Sequence, residues 1–267
     1  MTLTVAIGGL GAIGLPLARA LDMGIDGLRL TAVAARDPVK AAANLARFRN
    51  PPAVVPLPEL ANADIVVEAA PAAVFEAIAQ PAIEAGRIFV PCSVGALLPR
   101  THLVRRALAT GARIVVPTGA LLGLDAVRAL AEGRVDSVRL VTRKPPASLA
   151  GAPYLKANGI DPTIFEKAVR VFIGNAIDAA AGFPANVNVA AALAMAGIGP
   201  VRTEVEIWAD PKVKRNIHTI TVEAPAARLT MSIENVPSED NPRTGQITPL
   251  SVMACLRGLV APLKVGT

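Results

Sequence analysis

Aromatic side chains are scarce, at 3% of the chain, with one Trp, one Tyr and six Phe. Few platforms exist for stacking nucleic-acid bases, and an aromatic-rich β-sandwich core is excluded for the same reason. The two cysteines, Cys92 and Cys255, form no CxxC pair and have no His cluster beside them. That excludes a disulfide framework and gives no reason to expect a metal site; both read as small buried side chains. No apolar run approaches the roughly 18 to 20 uncharged residues of a membrane span. The first residues lack a basic region and a cleavage site, so a soluble, cytoplasmic protein with no membrane partner is expected. Lys and Arg outnumber Asp and Glu by 27 to 21, for a net charge of +6. These cations are scattered, with no run of the kind that binds nucleic acid. Their excess suits steering of small anions.

What the sequence does have is alanine, valine and leucine: the 267 residues are 52% hydrophobic. The first forty residues set the organisation. An apolar run, Leu3 to Ile7, enters Gly9-Leu-Gly-Ala-Ile-Gly14. A helical run, Leu15 to Leu21, follows, and a second apolar run, Leu28 to Ala35, ends in Arg36-Asp37. This is the order of a dinucleotide-binding βαβ unit. Gly9 allows the tight turn, Gly11 lets backbone approach a pyrophosphate, and Gly14 lets helix pack on strand. Ala12 and Ile13 complete a turn whose N–H groups, at a helix N-terminus, favour a phosphate.

Further apolar strands at intervals of about 25 residues, with helices between them, predict a doubly wound parallel sheet with ligands at the strand C-termini. Helices are expected over Pro38 to Arg49, Ala72 to Glu84 and His102 to Thr110. Strands are expected near Ala63 to Glu68, Arg87 to Pro91 and Ala112 to Pro117. Three strand-end loops then face a cofactor: Gly9 to Gly14, Glu68 to Pro71 (with Ala69 and Ala70), and Cys92 to Ala96 (with Ser93).

The pattern changes after Pro117. Val135 to Arg143 alternates apolar and polar, as do Arg202 to Trp208 and Ile217 to Ala224 continuing through Arg228 to Ile233. These predict a mixed or antiparallel sheet, with an apolar helix from Val189 to Ala196. The expected fold is α/β: a Rossmann doubly wound domain over 1–117, a second α/β mixed-sheet substrate and dimerisation domain over 118–240, and a segment over 241–267 whose helix returns to the first domain.

Several residues are candidates for chemistry. An acidic group at the end of the second strand would bind a ribose 2′-OH and an Arg would favour a 2′-phosphate. Arg36 and Asp37 stand there together, so NADP is expected to be accepted, with NAD as the other candidate; Asp37-Pro38 also reads as a helix start. Of the two histidines, His102 reads as structural. His218 shares a strand face with Ile220 and Val222, which suits either a packed core histidine or a general base in a cleft. Asn186 and Asn188 precede an apolar helix as caps, or as amides for a nicotinamide carboxamide or a substrate carboxylate. Arg143, Lys144, Lys212, Lys214 and Arg215 are cations available to carboxylates.

Taken together, GGLGAIG, VVEAA, CSVGAL, TGALLGLDA, RKPP, FPANVNVAAALAMAGIG, WADPKVKRNIHTI and ENVPSEDNPRTGQITPLSVMACLR resemble the L-aspartate dehydrogenase family, in order and over essentially the whole chain. The resemblance implies NAD(P)-dependent oxidative deamination of L-aspartate to oxaloacetate and ammonia through iminoaspartate, which can also feed NAD biosynthesis. It implies that His218 is catalytic and that Asn188 contacts the cofactor. It also implies further cofactor contacts in the Thr118 to Asp125 turn, at Ala120 and Leu122, where the family commonly has alanine in place of Leu122. A homodimer is implied as well. Other readings of the same architecture are a dihydrodipicolinate-reductase-like or homoserine-dehydrogenase-like enzyme, or a non-catalytic NADP sensor.

Overall fold

Strand β1 (Leu3–Gly8) is followed by α1 (Gly14–Met23), β2 (Leu28–Ala34), α2 (Pro38–Leu45), β3 (Ala53–Val54) and β4 (Ile65–Glu68). Then come α3 (Phe75–Glu84), β5 (Ile88–Pro91), α4 (Val94–Leu97), α5 (Thr101–Thr110) and β6 (Arg113–Ile114). The computed structural model describes residues 2–121, 123–184, 187–238 and 244–266. The six strands form one parallel sheet in the order β3-β2-β1-β4-β5-β6. Strand order reverses between β1 and β4, so the ends of these two strands flank the crevice where such sheets bind ligands.

Helices cover both faces, so consecutive strand residues are buried rather than alternate ones. Val5, Ala6, Ile7, Ile65, Val66, Val67, Phe89 and Val90 are all fully buried. Helix α2 stops at Leu45, four residues short of the expected Arg49. The Asp22 carboxylate accepts from the backbone N–H groups of Arg49 and Asn50, each at 3.0 Å. Those amides are thereby drawn out of the helical ladder.

The chain divides into two compact units. The second spans Thr118–Ile247 and contains α6 (Leu124–Ala131), β7 (Ser137–Lys144), α7 (Pro146–Leu149), α8 (Pro153–Ala157), β8 (Val169–Asn175), α9 (Ala176–Gly182), α10 (Asn188–Ala196), β9 (Thr203–Ala209), β10 (Asn216–Ala224) and β11 (Ala227–Asn235). Its five strands run in the order β11-β10-β7-β9-β8, with β7 and β9 parallel and the other pairs antiparallel. The sheet is therefore mixed. The expected continuous stretch from Ile217 to Ile233 is a hairpin, with Ala224 paired to Ala227 across Pro225-Ala226.

Strand β8 was not expected. Its register shifts between Arg170 and Phe172, so Val171 and Phe172 are both buried in succession. That bulge breaks the alternation by which a strand is read from sequence. Helices α9 and α10 bury Ala176, Ala179, Ala190, Ala191, Leu193 and Ala194, and the small side chains allow close approach to the sheet.

Helix α11 (Ile247–Val260) groups with the first unit through Thr248–Lys264. Val252 and Leu256 are fully buried in the core that holds Leu17, Leu21, Leu28 and Leu30. Leu256→Ala would leave a cavity there and is expected to cost about 2–5 kcal/mol. Urea denaturation followed by far-UV circular dichroism measures this; a loss below about 0.5 kcal/mol would show that the helix does not anchor in the core.

Candidate active site

The glycine turn divides its tasks. Gly9 has φ +99°, and a β-carbon on it would lie 2.4 Å from the carbonyl oxygen of Ala69; one on Gly14 would lie 1.9 Å from that of Gly9. Both positions are closed by the protein's own backbone. At Gly11 a β-carbon would meet nothing within 4 Å, so the space there is open to a ligand. Ala12 and Ile13 lead into α1, whose start has no side-chain cap and no acidic residue in its first turn. An open glycine beside an uncapped helix N-terminus fits a diphosphate, and Gly9, Gly11, Ala12, Ile13 and Gly14 are the residues that would hold it.

The next two strand-end loops are tied together by one buried carboxylate. Glu68, fully buried at the end of β4, accepts from Ala70 N–H at 3.1 Å, Ser93 N–H at 2.8 Å and Ser93 Oγ at 2.9 Å. Burial nonetheless raises its pKa above the ordinary carboxylate value, the hydrogen bonds opposing that shift. Ala69 N–H donates to Gly8, so Ala69, Ala70 and Ser93 are all fixed. At the end of β2, Arg36 is exposed. Asp37 caps α2, its Oδ1 accepting from Lys40 N–H at 3.0 Å.

In the second unit, alternation along β7 and β10 puts Val138, Leu140, Thr142 and Lys144 on the buried face with Asn216, His218, Ile220 and Val222. Four polar side chains therefore interrupt an apolar face at one end of these two strands. Thr142 and His218 are directly paired, Thr142 Oγ1 lying 3.0 Å from His218 Nδ1. His218 is 3% exposed and also lines a cavity of about 220 Å³ with Leu121, Ile220, Met231, Ser232 and Ile233. Burial, with a smaller contribution from the Lys144 charge, lowers its pKa to about 3. Lys144 is 4% exposed, and burial lowers its pKa to about 8.

The remaining candidates separate. Arg143 lies on the opposite face of the sheet from His218. It reaches Asp210 at 3.4 Å and stacks over Trp208 at 4.8 Å. That one-residue offset separates it from His218 and Lys144. Lys214 is exposed in the loop before β10. Asn188 opens α10 and is exposed. The Ala120 carbonyl accepts from Asn235 Nδ2 at 2.9 Å. Leu122 and Asn186 lie outside the described residues. Among the described residues, no three His, Cys, Asp or Glu side chains gather as a metal site requires, and no helix is long and apolar enough to cross a membrane.

Two family models match the chain: the C-terminal domain of aspartate dehydrogenase over residues 125–259, and the NAD-binding domain of homoserine dehydrogenase over residues 9–117. The chain is 55% identical over 266 residues to an L-aspartate dehydrogenase of Bradyrhizobium diazoefficiens, covering 99% of this chain and 94% of that one. It belongs to the L-aspartate dehydrogenase family. An L-aspartate dehydrogenase 3 of Bordetella bronchiseptica is 53% identical, with 99% and 98% covered. The crystal structure of aspartate dehydrogenase from Thermotoga maritima superimposes with a TM-score of 0.73 at 25% identity, over the whole of both chains.

Within this L-aspartate dehydrogenase family member, sequence reasoning named Glu68 only as the start of a cofactor-facing loop and did not single out Thr142 or Asn235. Thr142 carried a usable signal: a threonine and a lysine where the Val138–Leu140 alternation calls for apolar residues. Gly11→Ala is expected to leave stability within about 0.5 kcal/mol, since nothing surrounds the added methyl. It should weaken NADH binding at least about tenfold by blocking close approach of a pyrophosphate. Thermal melting and fluorescence titration check the two halves separately; unchanged NADH affinity would remove the turn from the cofactor site.

Proposed function

We propose that the chain oxidatively deaminates L-aspartate with NAD or NADP, giving oxaloacetate and ammonia through iminoaspartate. The observation that carries this reading is the presence of an imidazole and a buried ammonium, His218 and Lys144, on one largely apolar sheet face that also carries Thr142 and Asn216, the imidazole bordering a cavity. When bound, the oxidised dinucleotide supplies the hydride acceptor, and the glycine turn and the Glu68–Ser93 loops are the residues that would hold it. Arg36, exposed at the end of β2, is the group that would meet a 2′-phosphate.

His218 is neutral at physiological pH because burial holds its pKa near 3. It takes a proton from the substrate's α-ammonium. The freed lone pair then forms the C=N bond as the Cα hydrogen leaves as hydride. Water adds to the iminium carbon and releases one proton to solvent, and the imidazolium returns its proton to the substrate nitrogen. The carbinol O–H then loses its proton to solvent as the C=O bond forms, the C–N bond breaks and ammonia departs. Proton transfer by a positioned side chain of this kind contributes typically about 10² to 10⁴-fold. Lys144, still protonated at pH 7, pairs with a substrate carboxylate, a charge-assisted contact stronger than a neutral one. Lys214, exposed on its loop, adds long-range attraction for the dianion. Asn188 is the amide we assign to the cofactor. We further propose a homodimer, the edge strands β8 and β11 of the second sheet being the backbone edges open to a second copy.

The decisive assay follows NAD(P)H absorbance with L-aspartate, and in reverse with oxaloacetate and ammonium. His218→Ala is expected to lower kcat at least about tenfold while NADH affinity stays within about twofold; near-normal turnover in that variant would remove the catalytic role. The pH dependence follows from Lys144. Its lowered pKa means that the ammonium is present below about 8 and is lost as pH rises through that value. KM for L-aspartate is therefore expected to climb above pH 8 in the wild type, and to be high and flat in Lys144→Met. A wild-type KM that is level across pH 7 to 9 would dismiss Lys144 as the carboxylate anchor.

A further inference from the structure

The ring nitrogen of His218 nearer Thr142 is already engaged. Thr142 Oγ1 and His218 Nδ1 are 3.0 Å apart, and both side chains are nearly fully buried. They are held together by strand register rather than by chance approach, because Thr142 and His218 are cross-strand partners between β7 and β10. Only Nε2 is then left to meet a molecule in the cavity that His218 lines with Leu121, Ile220, Met231, Ser232 and Ile233. A neutral imidazole carries one proton on one of two nitrogens, and the partner of one nitrogen decides the state of the other. If the hydroxyl donates to Nδ1, the proton sits on Nε2 and the ring cannot accept another there. If the hydroxyl accepts from Nδ1–H, Nε2 presents a bare lone pair.

We propose that Thr142 is a positioning residue that fixes the Nδ1–H tautomer of His218, so that Nε2 is the atom that takes the substrate's proton. The inference rests on the role proposed for His218. The proton leaving the substrate nitrogen forms an N–H bond at Nε2, and Nδ1 keeps its own proton against Thr142 Oγ1 throughout. The imidazolium so formed is stabilised by the same hydroxyl oxygen, and it returns the Nε2 proton when ammonia leaves. Lys144, two residues along the same face of β7, is the charged neighbour that opposes a permanent imidazolium.

The chain has two histidines, so the ¹⁵N spectrum of histidine-labelled protein contains two rings, and His218→Asn identifies one of them. In the ligand-free wild type at pH 7, the His218 ring is expected to show a protonated Nδ1 and an unprotonated Nε2. Thr142→Ser keeps the hydroxyl and should preserve both this pattern and kcat/KM to within about threefold. Thr142→Val removes it and should mix or reverse the tautomers. It should also lower kcat at least about tenfold, with KM for NAD and NADH affinity within about twofold. A protonated Nε2 in the wild type overturns the proposal, as does a Thr142→Val protein with unaltered tautomer and turnover. If valine is not accommodated at position 142, Thr142→Ala gives the same comparison. Full activity in His218→Ala would instead sink the catalytic reading of the histidine, and the spectrum would still report what Thr142 does to its ring.

Discussion

The register of β10 on β7 is the constraint from which the second unit's chemistry follows. His218 stands opposite Thr142 and Ile220 opposite Leu140. A slip of one residue would exchange every buried side chain for its exposed neighbour. With β7 held in place, His218 would then leave the buried face, and Ile217 and Thr219 would turn toward it. The register is held by the apolar residues that accompany the polar ones: Val138, Leu140, Ile220 and Val222 are each at most 1% exposed. Burial of four such side chains contributes about 1.5–3 kcal/mol each, and that fixes the face on which Thr142, Lys144, Asn216 and His218 also lie. The hydrophobic pattern thus places groups that would never be buried on their own account.

An analogous trade operates in the first unit. Glu68 ends a strand whose four residues are all buried, and its carboxylate lies where nothing but backbone amides and one hydroxyl can satisfy it. Three donors reach it from two different loops. Removing one of a buried acceptor's partners costs about 1–3 kcal/mol, so the loops after β4 and β5 are held at fixed spacing. The consequence is rigidity at the strand ends, where a doubly wound sheet presents its ligand. The pKa direction agrees: desolvation pushes the carboxyl up, and the hydrogen bonds only partly offset it.

These two units differ in how legible they were in the sequence. The parallel sheet could be read closely, because buried strands flanked by helices give continuous apolar runs and the glycine turn marks the first crossover. Its errors were local, as where Asp22 captures two amides and ends α2 early. The mixed sheet was read through alternation, which worked for β7, β9 and β10 and failed at β8, where a bulge buries two neighbours in succession. For the site, His218 is noticeable because the chain has only two histidines. Its hydrogen-bond partner is one of many threonines, and only cross-strand pairing singles out Thr142. Arg143 and Lys144 are adjacent and chemically alike in sequence, and strand parity sends them to opposite faces.

A base whose pKa is near 3 in the ligand-free protein looks too weak for its task, but that value belongs to a ring facing apolar walls and a neighbouring ammonium. L-Aspartate brings two carboxylates. On the function proposed above, one of them paired with Lys144 would cancel the smaller of the two effects that disfavour imidazolium, burial being the larger. The bound substrate would thereby raise the affinity of His218 for the proton that the proposed mechanism asks it to accept. In the ligand-free protein no charge is stored on the buried ring, and under the proposed mechanism it would become a stronger base when the dianion arrives. Under the proposed mechanism specificity would follow from the same electrostatics, because an amino acid without a second carboxylate would raise the ring's basicity less and forfeit part of the proton transfer along with part of its binding.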